Sequence, residues 1–293
     1  MVEGMKVGIR RIMFVLSVAV LISSFTGLGN KTFAQENNFD RGQSVNVKVM
    51  SYNIHHAEGV EGVLDLERIA GIIEDSNTDI VGLQEVDNHW SDRSDFQDQA
   101  RMLAERLGMF YTYAANLDRD PLTEGDHRRQ YGTAILSKYP IIKSENHSLS
   151  KIGNTEQRGL LEATINVRGN HLHLYNTHLA LTSAERELQV NETIEIASES
   201  KGPKVIMGDL NALPTSNELK PMMSNYLDVF AEATPEANTY PAANPTKRID
   251  YILTSDDIET VNTEVIPTLA SDHLPITAEI VLDREAPYFN GEK

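Results

Sequence analysis

The chain has 293 residues, 26 Lys+Arg against 43 Asp+Glu, a formal charge of −17 and no cysteine. With 40% hydrophobic residues it can bury a sizeable core, which excludes a wholly disordered chain. The lack of cysteine excludes a disulfide scaffold, a thiolate zinc site and a cysteine nucleophile, and the acid excess argues against holding nucleic acid by backbone charge alone.

In chain order, Lys6, Arg10 and Arg11 precede an apolar run over 12–22, too short for the roughly 20 residues that span a bilayer. The small-residue pattern Thr32-Phe33-Ala34 completes a secretory signal over 1–34, cleaved before Gln35; an uncleaved anchor is the alternative. Removing it takes four basic residues and one acid, leaving a formal charge of −20. Residues 35–44 (QENNFDRGQS) read as a polar linker, 45–283 as one domain without internal repeats, and 284–293 as a flexible tail.

Within that domain, strand-like runs fall at 45–53, 80–85, 131–137, 159–168, 171–178, 204–209, 249–253 and 276–282. Helical spacing appears at 65–75 (Leu66, Ile69, Ala70, Ile73) and 95–107 (Phe96, Ala100, Leu103, Leu107). A third helix is expected over 183–198 and a fourth from near Pro214, while 116–130 reads as a long charged loop. Strands both after helices and in hairpin-like succession predict a mixed α/β layered fold.

Period-2 alternation then gives the informative signal. Val45, Val47 and Val49 share a face with Asn53; Val81 and Leu83 with Glu85; Leu172 and Leu174 with Asn176 and His178. Val205 and Met207 lead to Asp209, with Asn211 two further on, and Ile252 shares its face with Asp250. Five apolar strand faces therefore end in an amide, a carboxylate or an imidazole. Burying such groups unpaired costs about 1–3 kcal/mol each, so strand ends of this kind are expected to converge on one polar floor. Carboxylates and amides without thiolates suit Mg²⁺, or Mn²⁺ in its place. Imidazoles beside carboxylates suit acid/base work or phosphate neutralisation. Together they describe metal-assisted attack of water on a phosphoester.

The motifs SYN (51–53), LQE (83–85), YGTAILS (131–137), NTH (176–178), GDLNA (208–212), RIDYIL (248–253) and SDH (271–273) occur in this order. With them the chain resembles the endonuclease/exonuclease/phosphatase superfamily of DNase I-like metal-dependent phosphohydrolases over 45–283. The resemblance implies a four-layer α/β sandwich, two packed mixed sheets flanked by helices, with the site at one rim. It also implies Glu85 as the principal Mg²⁺ ligand, with Asn53 beside it and Asp272 as a further metal-side carboxylate. Asp209 would position or deprotonate the attacking water and Asn211 would donate to phosphate. His273 would be held in its tautomer by Asp250, and His178 would donate to phosphate or protonate the leaving oxygen. Which imidazole is acid and which base stays open, as does one ion against two. Arg158 suits a bidentate phosphate clamp, Tyr131 could donate to phosphate or pack, and His55 lies two residues past Asn53.

Export points to an extracellular phosphoester: a phospholipid head group, a nucleotide or nucleic acid, or a sugar phosphate. No stable protein partner is expected, and the chain reads as a monomer. The rival readings are an exported nuclease and a catalytically silent binder on the same fold. A silent binder would have lost a metal carboxylate or an imidazole, yet Glu85, Asp209, Asp250 and His273 are all present. The rate is expected to fall on the acid side as an imidazole base protonates.

Overall fold

The computed structural model describes residues 44–232 and 237–283. The expected leader, the linker up to residue 43 and the tail lie outside the described residues. The strands are β1 (Val45–Asn53), β2 (Ile80–Asn88), β3 (Phe110–Arg119), β4 (Arg129–Ser137), β5 (Ile141–Ser148) and β6 (Gly159–Val167). They continue as β7 (Asn170–His178), β8 (Lys204–Asp209), β9 (Leu227–Asp228), β10 (Asp250–Thr254), β11 (Glu259–Val265) and β12 (Ile276–Leu282). The helices are α1 (Leu66–Asp75), α2 (Gln99–Leu107), α3 (Ser183–Glu199) and α4 (Lys220–Asn225).

The strands form two six-stranded sheets, ordered β11-β12-β1-β2-β4-β3 and β5-β6-β7-β8-β10-β9. Val45, Val47, Val49, Leu172, Leu174, Val205, Met207 and Ile252 meet between the sheets in the central core. A second core joins Met50, Tyr52, Val81 and Leu83 to Ile69, Ile73, Ala100 and Leu103 of α1 and α2. A third joins Tyr175, Ile206 and Leu253 to Val190 and Ala197 of α3 and Met222 of α4. Three cores between four layers make the α/β sandwich that the motifs implied.

Each sheet is built around one parallel pair, β1 with β2 and β7 with β8. Helices α1 and α3 are their crossovers, since parallel neighbours cannot be joined by a tight turn. Asp65 caps α1 by accepting from Arg68 N, Asp98 caps α2 from Arg101 N, and Thr182 caps α3 from Glu185 N. Two helix starts differ from those expected. The helix expected at 95–107 begins at Gln99, because Asp95 and Phe96 take left-handed φ of 50° just before the Asp98 cap. The one expected near Pro214 begins only at Lys220, after a short 3₁₀ turn over Asn217–Leu219.

The four strands that alternation did not predict, β3, β5, β9 and β11, are the four sheet edges. The charged loop expected at 116–130 shrinks accordingly. Residues 116–119 extend β3 and 129–130 begin β4, and Arg128 holds the connection through Asp118 and Asp120 at 2.7 Å each.

Candidate active site

Sheet register assembles the site. The parallel pairing of β7 and β8 sets His178 opposite Asp209, and the antiparallel pairing of β8 and β10 sets Asp209 opposite Asp250. The carboxyl ends of the parallel strands thus meet at one rim, the position where open α/β sheets offer a binding crevice. Gly208 delivers Asp209 there: at its φ of 147° a Cβ would lie 1.9 Å from Thr177 O, which only glycine avoids. From the other sheet, Asn53 Nδ2 lies 3.2 Å from Asp209 Oδ2 and 3.1 Å from Glu85 Oε1. Its Oδ1 accepts from His55 N at 3.1 Å, which fixes the amide so that the nitrogen faces both carboxylates. Below this floor Asn176 Nδ2 donates across the sandwich to Leu83 O and Ala134 O, both at 2.9 Å, and its Oδ1 accepts from Gln84.

Glu85 reaches the site by a route that alternation did not foresee. Val81 and Leu83 face α1 and α2 in the second core, so a carboxylate on their side would point away from the rim. The pairing of β2 with β4 slips between Leu83 and Val86, and Glu85 takes a left-handed φ of 57°. This bulge turns Gln84 and Glu85 inward between two outward apolar residues. The expected face-sharing of Glu85 with Val81 and Leu83 is therefore corrected; the other four strand ends lie on the inner face.

His273 stands over this floor. Its Nδ1 lies 2.9 Å from Asp250 Oδ2 and its Nε2 3.7 Å from Asp209 Oδ2; His178 Nε2 lies 3.4 Å from the same Asp209 oxygen. Thr239 Oγ1 also donates to Asp250 Oδ2, at 2.5 Å, and the Tyr240 ring leans on His273 with centroids 4.8 Å apart. Burial pulls the His273 imidazole down, but Asp250, Asp209 and Asp272 outweigh it and push it up to about 10. His178 goes the other way: burial, then Arg158 and His273, hold it well below the usual imidazole range. Burial and the Asp250 charge push the Asp209 carboxyl up to about 7, against His273 and the donors from Asn211 and Asn53. At neutral pH His178 is therefore neutral and His273 is an imidazolium.

A cavity of about 560 Å³ opens above these groups, lined by Glu85, Tyr131, Arg158, Asn211 and Asp272 among others. Every site residue expected from the motifs is thus at this rim. Arg158 is buried just before β6 and pairs with Glu156 at 2.9 Å. Asn211 takes a left-handed φ of 50°; its backbone N–H goes to Asp209 Oδ1 and an amide hydrogen to Leu179 O, both at 2.9 Å. Sequence reading missed Thr239, Tyr240, Lys247 and Arg186. Thr239 and Tyr240 come from a loop with no periodic signal, and Arg186 is an unremarkable charge on α3 until the fold folds it over Glu218 at 2.6 Å.

The charges of the cavity leave room for a cation. Arg158 is taken by Glu156 and Arg186 by Glu218, whereas Glu85 and Asp272 line the cavity without an ion pair among the described residues, acting on Arg93 and His273 only at longer range. Glu85 has one oxygen on Asn53 and the other without a hydrogen bond among the described residues. Two half-buried carboxylates with open oxygens fit a hard divalent ion that completes its shell with water or phosphate.

The sequence profile of the Endonuclease/Exonuclease/phosphatase family matches residues 50–273. The Escherichia coli protein YbhP is 28% identical over 264 residues, covering 83% of this chain and 99% of YbhP. The mannosyl-6-phosphatase Bt3783 of Bacteroides thetaiotaomicron superposes with a TM-score of 0.66 at 19% identity, covering 80% of this chain and 100% of that one. The human Nocturnin catalytic domain with a bound sulfate anion gives 0.63 at 22% identity, over 82% and 96% of the two chains. With a profile that runs from β1 to His273 and a sandwich shared with these structures, the chain belongs to the Endonuclease/Exonuclease/phosphatase family.

Proposed function

We propose that the chain is an exported, divalent-metal-dependent phosphoesterase that hydrolyses its substrate by attack of water on phosphorus. The observation that carries this reading is the meeting of Asn53, Glu85, His178, Asp209 and the Asp250–His273 pair, from both sheets, at one rim. Glu85 and Asp272 would hold a Mg²⁺ or Mn²⁺ ion, which would supply positive charge to the phosphoryl oxygens. Asn53 holds the Glu85 and Asp209 carboxylates in place. Asp209, with a carboxyl near neutrality, accepts the proton of the attacking water, the match of acidity to working pH that general bases need. The His273 imidazolium, oriented by Asp250, donates to the oxygen on which negative charge develops. His178 stays neutral and donates a hydrogen bond to the phosphate, with Arg158, Asn211 and Tyr131 around it.

The charge of −20 expected after cleavage repels long polyanions, which favours a compact phosphoester such as a phospholipid head group, a nucleotide or a sugar phosphate. Leu181, 75% exposed, and Leu213 sit in the cavity lining and offer apolar contact to the organic part of such a molecule. Bis-p-nitrophenyl phosphate and p-nitrophenyl phosphate test the reading. Turnover should require Mg²⁺ or Mn²⁺, stop in chelator, and fall about 10³-fold or more in Glu85→Ala, a loss of about 4 kcal/mol of charge stabilisation. Full turnover in chelator would refute it. Recovery of the chain outside the cell beginning at Gln35 tests export, and retention of Met1 would contradict it.

A further inference from the structure

Immediately after Asn53 the chain enters a turn whose side chains no part of the proposed hydrolysis uses. His55, His56 and Ala57 have φ of 45°, 43° and 64°, left-handed conformations that cost a non-glycine residue about 1–2 kcal/mol each. The turn sets the two imidazoles edge to face with centroids 4.5 Å apart.

Glu58 engages one nitrogen of each ring. Its carbonyl oxygen lies 3.2 Å from His55 Nδ1, and its carboxylate lies 3.6 Å from His56 Nε2. A carbonyl only accepts, so His55 Nδ1 carries the hydrogen and Nε2 is left with the lone pair. The carboxylate likewise favours the hydrogen on His56 Nε2, leaving the lone pair on Nδ1. Imidazoles that bind metals have this arrangement, with the second ring nitrogen donating to a carbonyl or carboxylate.

His56 is only 5% exposed, and its Nδ1 is buried without a hydrogen-bond partner. A buried polar atom left in that state costs about 1–3 kcal/mol, which a ligand would recover. The Arg93 guanidinium, the cation that bears on His56, is taken up by Asp87 at 2.7 and 2.9 Å. Opposite the rings stands Glu85, itself in a left-handed conformation, with one carboxylate oxygen free of hydrogen bonds among the described residues. His55, His56 and Glu85 each offer a ligand atom, and the three atoms lie within 4.8 Å of one another. Ligands on one ion stand about 3.3 Å apart when each bond is about 2.1 Å, so small side-chain rotations close the set.

We infer that His55, His56 and Glu85 form a second metal position, which takes a transition ion with affinity for imidazole, Mn²⁺ or Zn²⁺, beside the oxygen-ligated position on the Asp272 side. Nitrogen donors favour such ions over Mg²⁺, which prefers oxygen and water. Glu85, with two oxygens, is the carboxylate shared between the positions. The inference rests on the proposed hydrolase reading for that shared carboxylate alone.

Pulsed EPR of the full chain loaded with Mn²⁺ tests it, because an imidazole nitrogen bound to Mn²⁺ modulates the echo. The expected result is nitrogen modulation that weakens in each of His55→Gln and His56→Gln, where one imidazole remains, with Zn²⁺ affinity measured by calorimetry in excess Mg²⁺ falling about 10-fold or more. His55 is half-buried, so if His56→Gln does not fold by circular dichroism, His55→Gln decides. Absence of nitrogen modulation in the wild type, or modulation unchanged in His55→Gln, overturns the inference. If Mg²⁺-dependent turnover accompanies that result, only the second position falls; if no ion binds and no turnover occurs, the hydrolase reading falls with it.

Discussion

Replacing Asp250 by Asn probes the coupling that sets the charge of His273. Asp250 Oδ2 holds His273 Nδ1 at 2.9 Å and is the largest of the charges raising that imidazole, while burial works in the opposite direction. Asparagine keeps an acceptor for Thr239 but removes the largest of the charges, with Asp209 and Asp272 still in place, so His273 should fall from about 10 toward its ordinary 6.5. Each unit of that fall corresponds to about 1.4 kcal/mol between the two protonation states. The protonated fraction of His273 at pH 7 should fall accordingly. We expect kcat at pH 7 to fall about 10²-fold or more, the scale of losing a general acid, with part of the rate returning as the pH is lowered toward 5.5. The alkaline limb of the wild-type profile, near pH 10, should move toward neutrality in the variant. NMR titration of the His273 ring in both proteins measures the cause directly. A His273 titration within one unit of wild type in Asp250→Asn would refute the reasoning.

Three further outcomes are expected. Without divalent ions the thermal midpoint should fall between pH 6 and 10: His273, raised above its unfolded value, contributes stability below about 6.5 that is lost through about 10, and Asp209, raised from 3.8 to about 7, adds a loss with the same sign. Mg²⁺ at pH 8 should restore the midpoint by binding the folded state, and a midpoint indifferent to both would contradict the charges assigned to the rim. Asn176→Ala leaves the carbonyls of Leu83 and Ala134 without their 2.9 Å donors, so urea unfolding should show a loss of about 2–4 kcal/mol; a loss below about 0.5 kcal/mol would deny the bridge between sheets. Arg158→Ala should raise KM for the phosphoester about 10-fold or more, with Arg158→Lys restoring only part because an ammonium cannot fork; an unchanged KM would remove Arg158 from the phosphate.

The limits of sequence reading follow from solvent exposure. The eight strands predicted by alternation are the inner strands of both sheets, where one face must be apolar. The four edges, with runs such as IIKSENHS and ETVNTEV, are hydrogen-bonded on one side only and carry polar residues on both faces, as exposed edges do. At the site, four of the five polar strand ends were legible because regular pleating carries the apolar face straight to them. For Glu85 the LQE motif points to the site while alternation points to the wrong face, since a bulge leaves no mark on residue type. His55 was legible only as a neighbour of Asn53 and His56 not at all; their left-handed turn, which takes in Ala57 and holds no glycine, has no sequence signature. Thr239 and Tyr240 depend on a loop that returns to β10, a contact no local pattern encodes.

The most direct test of the central claim, that the strand ends of both sheets form one metal-and-phosphate site, is anomalous diffraction from crystals of the full chain grown with Mn²⁺ and phosphate. The account predicts an ion about 2.1 Å from a Glu85 oxygen and a phosphate in contact with that ion, Arg158 and His178. Manganese bound elsewhere with Glu85 left bare, or phosphate bound away from the rim, would contradict it.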